Sequence, residues 1–173
     1  MKLLIMGPQA SGKGTQAALI AKEFGLKHIS TGDLFRAEVA GETELGKQVK
    51  ELLDAGQLVP DSLTNEIAKK HIEAADGFIL DGYPRTATQA AFLDTVTAID
   101  KVLVLEVADE TAMERIKGRG RSDDTEEALR NRLAQYHEQT KPLIEYYGEK
   151  VVRVDGEPGI EDVTKAIFAV LGA

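Results

Sequence analysis

Leu3-Leu4-Ile5-Met6-Gly7-Pro8-Gln9-Ala10-Ser11-Gly12-Lys13-Gly14-Thr15 decides the fold. The apolar run at residues 3–6 reads as a strand buried on both faces. Ala17, Ile20, Ala21 and Phe24 fall at helical spacing after it, and Gly25 stops that helix. Between strand and helix lies a loop of small residues ending in Lys13. Small residues let backbone N–H groups turn inward around a polyphosphate. The helix N-terminus adds donors and partial positive charge. Lys13 brings a full charge to the β and γ phosphates. A tight strand-to-helix turn explains neither the lysine nor the spacing, so the loop predicts nucleoside triphosphate binding. Most such loops carry Ser or Thr directly after the Lys as a magnesium ligand. Here Gly14 intervenes and Thr15 follows.

Outward from this loop, residues 78–80 and 102–107 also read as fully buried strands, with 28–30 and 151–155 as shorter candidates. Asp61 is placed to cap a helix to about Ala75 with Leu63, Ile67 and Ile72 inward, and Asp109 to cap one to Lys117. Thr125 is placed to cap a long helix to about Tyr147, with Glu126 and Glu127 favouring its dipole and Pro142 interrupting it. A last helix covers 160–171. Strands separated by single helices predict an α/β protein with a parallel sheet and right-handed crossovers. Residues 31–75 break the rhythm with three helices and no strand, which predicts a helical lobe inserted after the second strand. Residues 118–124 are polar and Arg-rich.

Composition narrows the classes. With 43% hydrophobic residues, 16 Gly and 5 Pro in 173, the chain buries a core and is not a disordered or fibrous one. The net charge of −8 argues against a general nucleic-acid surface, while leaving room for a local cationic cleft. The absence of cysteine excludes disulfides, thiolate zinc sites and cysteine nucleophiles. The N-terminal apolar run is shorter than a signal-peptide core of about 7–15 residues. The expectation is a cytoplasmic protein without membrane or nucleic-acid partners.

Further motifs carry chemistry. In Asp81-Gly82-Tyr83-Pro84-Arg85, an acidic residue ends a buried strand, where ligands bind in open α/β sheets. Asp81 is placed to orient magnesium through water, and Arg85 to clamp a phosphate with its planar donors. In Ser30-Thr31-Gly32-Asp33-Leu34-Phe35-Arg36, Ser30 reads as an N-cap and Asp33 suits the first turn, but neither explains Arg36. Arg115, Arg119, Arg121, Arg130 and Arg132 form a cluster. Arg115 and Arg130 read as ordinary helix-surface charges, and the run at 118–124 as more than decoration. His28, His71 and His137 are scattered without metal-ligand partners at useful spacing. Without a Gly-x-Ser-x-Gly elbow, a hydrolase triad has no foothold.

GKGTQ resembles the nucleoside monophosphate kinases. The ordered series GKGT, STGDLFR, QLVPD (residues 57–61), DGYPR, GRGR and DDT with Arg132 resembles the adenylate kinases in their short-lid form, along the whole chain. The resemblance implies a three-layer α/β/α P-loop kinase domain over residues 1–173 with a five-stranded parallel sheet, a helical NMP-binding lobe at 30–59 and a short lid at 118–125. It implies transfer from MgATP to AMP giving two ADP, with magnesium and no zinc, by a monomer. Gly7, Ala10 (where the family carries Gly), Ser11, Gly12, Lys13, Gly14 and Thr15 would hold the ATP phosphates, with Arg119 and the Pro158 carbonyl contacting ATP. Thr31, Arg36, Gln57, Leu58, Val59, Gly82, Arg85 and Gln89 would hold AMP. Arg121 and Arg132 would reach the transferring group from the AMP side, and Lys13, Arg85, Arg119, Arg121 and Arg132 would be catalytic. Gln89 has a rival role, because Thr86-x-x-Gln89 spells a capping box. A UMP or CMP kinase and an inactive nucleotide-binding module are the other readings. Thr31 with Gln89 weighs against the first, and the full set of arginines against the second.

Overall fold

The computed structural model describes residues 1–117 and 125–172, so most of the proposed lid, with Arg119 and Arg121, lies outside the described residues. In chain order the elements are β1 (Lys2–Met6), α1 (Lys13–Phe24), β2 (Lys27–Ser30), α2 (Thr31–Ala40), α3 (Glu44–Asp54), α4 (Asp61–Glu73), β3 (Phe78–Asp81), α5 (Ala87–Val96), β4 (Lys101–Glu106), α6 (Asp109–Ile116), α7 (Glu126–Gln135), α8 (Leu143–Tyr147), β5 (Val151–Asp155) and α9 (Ile160–Leu171).

The strands form one parallel five-stranded sheet in the order β2-β3-β1-β4-β5. Alternate residues of each strand face opposite ways. Leu4, Met6, Leu80, Val102 and Val104 pack beneath α4, α5 and α8 through Ala68, Ile72, Ala90, Leu93, Leu143 and Tyr147. Leu3, Ile5, Ile79, Leu103 and Leu105 pack against α1 and α9 through Ala17, Ile20, Val163 and Ile167. The result is three layers with the sheet in the middle. β1 lies between β3 and β4, where the strand order reverses, so a crevice opens beyond the strands' C-terminal ends. The loop after β1 begins there.

The three expected helices between β2 and β3 are α2, α3 and α4. Phe35, Val49 and Val59 form a small apolar cluster of their own, apart from both sheet layers. Ser30 and Thr125 cap as expected, their hydroxyls accepting from the Asp33 and Ala128 N–H groups. Asp61 and Asp109 do not. The caps there are Pro60 and Ala108, with no side-chain bond, and each Asp is the first helical residue instead. Their carboxylates are taken by distant partners, Asp61 by Thr86 and Gln89, Asp109 by His137. The expected long helix is broken as Pro142 requires. A π-helical turn, Tyr136–Thr140, separates α7 from α8, with the Lys141 N–H reaching back to Tyr136 O. Thr140 Oγ1 donates to Arg85 O at 2.9 Å, which ties the widened turn to the crevice.

Gly56 joins the helical pair α2–α3 to the rest. Its φ is +68°, and a Cβ there would stand 2.3 Å from Ala128 O and 2.7 Å from Ala128 Cα. The backbone of α7 cannot yield as a side-chain tip would. Gly56→Ala is expected to lower unfolding stability by about 2–4 kcal/mol, from overpacking plus the left-handed conformation. The shift of the urea midpoint measures it, and a loss below about 1 kcal/mol would show that the two segments separate without cost.

Candidate active site

The loop after β1 is shaped by conformations that local sequence must permit. Gly7 has φ +149° and Gly12 φ +94°. A Cβ on Gly7 would meet Leu105 O at 2.7 Å, so only glycine fits between the loop and β4. Ala10 takes φ +61°, an uncommon choice for a residue with a Cβ. Its methyl group packs against the cluster of Ala112, Ile116, Leu129 and Leu133, so α6 and α7 support it there.

Helix α1 starts at Lys13 with no side-chain cap and no acidic residue in its first turn. Its N-terminal donors and dipole therefore face the crevice. Lys13 Nζ curls into the loop and donates to Gly7 O at 2.8 Å and Pro8 O at 2.6 Å. Ser11 is 2% exposed, and its hydroxyl finds no hydrogen-bond partner among the described residues. A buried orphan hydroxyl beside open N–H groups fits a phosphate chain.

Asp81, at the end of β3, is 9% exposed. Its Oδ2 lies 3.4 Å from where a Cβ on Gly14 would be, so it faces the α1 N-terminus across the crevice. A carboxylate there, beside loop donors suited to phosphate, fits a hydrated magnesium ion bound with a nucleotide. His28 Nε2 stands 3.5 Å from the same oxygen. No sequence spacing links this histidine to Asp81, because its partner lies on the neighbouring strand. β2 pairs with β3 so that Ser30 sits opposite Asp81 and His28 two residues behind.

Gly82 organises the next part. Its φ is +79°, and its carbonyl accepts from Thr31 Oγ1 at 3.0 Å and from Arg85 Nε at 2.8 Å. A Cβ on Gly82 would stand 2.9 Å from the Arg85 guanidinium and 3.3 Å from Thr31 Oγ1. Withdrawal from water pushes the Arg85 pKa down. Asp81 pulls it back up, while Arg132 and Arg36 add to the fall. A cationic pocket with one facing carboxylate suits an anion with more than one charge. Arg36 pairs with Asp33 one turn earlier in α2. Arg132 donates to Leu53 O at 3.1 Å and Asn131 to Ala55 O at 2.9 Å, so α7 holds the C-terminal end of α3.

These groups line one cleft of about 1040 Å³. A single small-molecule pocket takes roughly 300–1,000 Å³, so the cleft lies at the upper end of that range. Ala10 to Thr15, Arg36, Gln57, Asp81, Gly82, Arg85, Arg132 and Pro158 all line it. Gly7 and Leu58 line a smaller pocket that shares Lys13, Arg85 and Arg132. Three expected residues stand behind the wall instead. Thr31 is 3% exposed, Gln89 1%, and Val59 belongs to the apolar cluster of α2 and α3. Gln89 does not complete the expected capping box, since its Oε1 accepts from the Arg85 N–H and not from Thr86.

Arg115 corrects the reading of it as a helix-surface charge. Its Nη2 donates to Gly156 O at 2.9 Å and Glu157 O at 3.0 Å, and the side chain lines the cleft beside Pro158. Hydrogen bonds from the Ala108 N–H and the Thr111 hydroxyl hold the Glu157 carboxyl below its usual range. The loop is thus held at Gly156 and Glu157 from both ends of α6. No sequence signal separates Arg115 from an ordinary last-turn cation.

The chain is similar to known proteins along its length. A family model described as adenylate kinase matches residues 5–152. The chain is 45% identical to the adenylate kinase of Rhodococcus erythropolis, with 99% of each chain covered. It is 43% identical to those of Nocardia farcinica and Mycolicibacterium smegmatis, again over 99% of each.

Proposed function

Because this chain belongs to the adenylate kinase family and is a phosphotransferase that moves a phosphoryl group reversibly between ATP and AMP to give two ADP, we propose how its residues divide that work. The observation that carries the reading is the convergence of Lys13, Arg36, Arg85 and Arg132 on one cleft with Asp81. The loop from Gly7 to Thr15 holds the donor phosphates on its N–H groups and on Lys13. The α2–α3 lobe, residues 30–59, with Arg36, Gly82 and Arg85, holds AMP, and Gln89, 1% exposed, meets its base once the groups that cover it move aside. Pro158 offers its carbonyl to the donor adenine from the loop that Arg115 secures. Arg119 and Arg121, in the proposed lid at 118–125, join the transferring group. Asp81 would hold the magnesium of MgATP through water, where the ion would offset the charge of the phosphates. We place the enzyme in the cytoplasm.

The reaction asks for placement and charge neutralisation. An oxygen of the AMP phosphate attacks the γ phosphorus, and the bond to the β–γ bridging oxygen breaks. With a second pKa of about 6, that phosphate is mostly deprotonated at pH 7, so the attacking oxygen carries no proton to remove. Lys13 follows the leaving oxygen, while Arg85 and Arg132 face the equatorial oxygens as charge shifts across them. Enclosure of the cleft keeps water, the competing nucleophile, away.

Incubation with MgATP and AMP, UMP, CMP or no acceptor, followed by separation of the nucleotides, tests the assignment. ADP is expected with AMP alone. Equal turnover with UMP or CMP would overturn the base-reading part and leave the arginine roles intact.

A further inference from the structure

Asp61 does not cap its helix, and its carboxylate has a different use. It reaches from the start of α4 to α5, where Gln89 Nε2 donates to its Oδ1 at 2.8 Å. The other end of the same amide, Gln89 Oε1, accepts from the Arg85 N–H at 2.7 Å. An ionised carboxylate only accepts and a backbone N–H only donates. These two partners therefore dictate which end of the amide is nitrogen. A flipped amide would set oxygen against carboxylate and N–H against N–H. Thr86 Oγ1 donates to both Asp61 oxygens at 3.1 Å and holds the carboxylate in place. The α4 N-terminus favours its negative charge.

Each end of the amide keeps half its capacity. One Nε2 hydrogen and one Oε1 lone pair remain. Adenine presents an acceptor at N1 and a donor at its 6-amino group, which match them. Hypoxanthine presents the reverse, a donor at N1 and an acceptor at O6. Gln89 is 1% exposed, so a base that reaches this amide must displace what covers it, and a mismatched donor or acceptor there stays unsatisfied. We infer that Asp61 is a positioning residue for base specificity: it locks the Gln89 amide in the one orientation that accepts adenine and opposes a 6-oxopurine. This rests on the proposal that Gln89 meets the AMP base.

The test compares kcat/KM for AMP and for inosine monophosphate with MgATP in wild type, Asp61→Asn, Asp61→Glu and Gln89→Ala. Wild type is expected to prefer AMP by about 100-fold or more. Asp61→Asn, whose amide can face Gln89 with either end, is expected to cut that preference by about tenfold, chiefly through the two KM values. Asp61→Glu accepts only, and is expected to keep the preference within about threefold of wild type. An equal fall in both Asp61 variants would show a merely structural role and overturn the inference. So would an unchanged ratio in Asp61→Asn beside a collapsed one in Gln89→Ala. An unchanged ratio in Gln89→Ala overturns the base contact itself, and the inference with it. Thr86→Val removes only the hydroxyl that holds the carboxylate, and serves where Asp61→Asn does not fold. About a threefold loss of preference is expected of it, and no loss counts against the inference.

Discussion

Lys13→Met is expected to lower kcat by about 100- to 1,000-fold, the range for removing one preorganised donor from a developing charge. The substitution keeps the length and apolar stem of the side chain and removes only the ammonium. In the ligand-free protein that ammonium rests on the Gly7 and Pro8 carbonyls, inside the loop that would hold the phosphates. Gly7 and Pro8 are buried, so the fold is expected to lose about what two hydrogen bonds contribute, roughly 1 kcal/mol each. Steady-state kcat and KM for ATP, with the melting temperature as control, make the measurement. A kcat within tenfold of wild type would show that the charge does not follow the transferring group. A melting temperature lower by more than about 8 °C, a few kcal/mol at this size, would show that Lys13 holds the loop together.

Arg85→Met is expected to cost about as much in kcat, some 100- to 1,000-fold, and to leave the ligand-free protein equally or more stable. Its guanidinium is withdrawn from water beside Arg132 and Arg36, with Asp81 opposing them. Its pKa in the folded state lies below that of the unfolded chain. Folding therefore carries a cost wherever the unfolded arginine is charged, which includes neutral pH. Methionine removes that cost and keeps the apolar stem. The hydrogen bond from Nε to Gly82 O is lost, but Thr31 still serves that carbonyl. The melting temperature is expected to hold or rise by a few degrees. Inorganic phosphate is expected to stabilise wild type more than the variant, which keeps the loop at 7–15 and Lys13 as an anion site but loses the Arg85 charge. A clearly lower melting temperature without ligand would mean that Arg85 is a structural cation. Equal stabilisation by phosphate in both proteins would remove it from the anion site.

The features legible in advance share a cause. The loop at 7–15 can be read because strand, turn and helix N-terminus are consecutive, and backbone sterics settle its shape. The same holds for β5 and α9, whose expected bounds are the observed ones, and for Ser30 and Thr125, whose caps bond three residues on. Asp61 and Asp109 look locally like caps too. They miss by one position because partners 25 to 28 residues away claim their carboxylates. Arg115 meets its carbonyls 41 and 42 residues on, and His28 meets Asp81 only through the pairing of β2 with β3.

By itself, then, the sequence determined the phosphate-binding loop, the alternation of strand and helix, the inserted helices and most of the cationic residues, because each depends on neighbours within a turn or two. The tertiary structure alone decided which cations share a pocket, which carboxylate faces the loop, and which way the Gln89 amide points. Those outcomes depend on the strand order β2-β3-β1-β4-β5, which brings chain segments dozens of residues apart to one end of the sheet. They also depend on burial, which turns a neighbouring charge or hydrogen-bond partner from a minor influence into the deciding one.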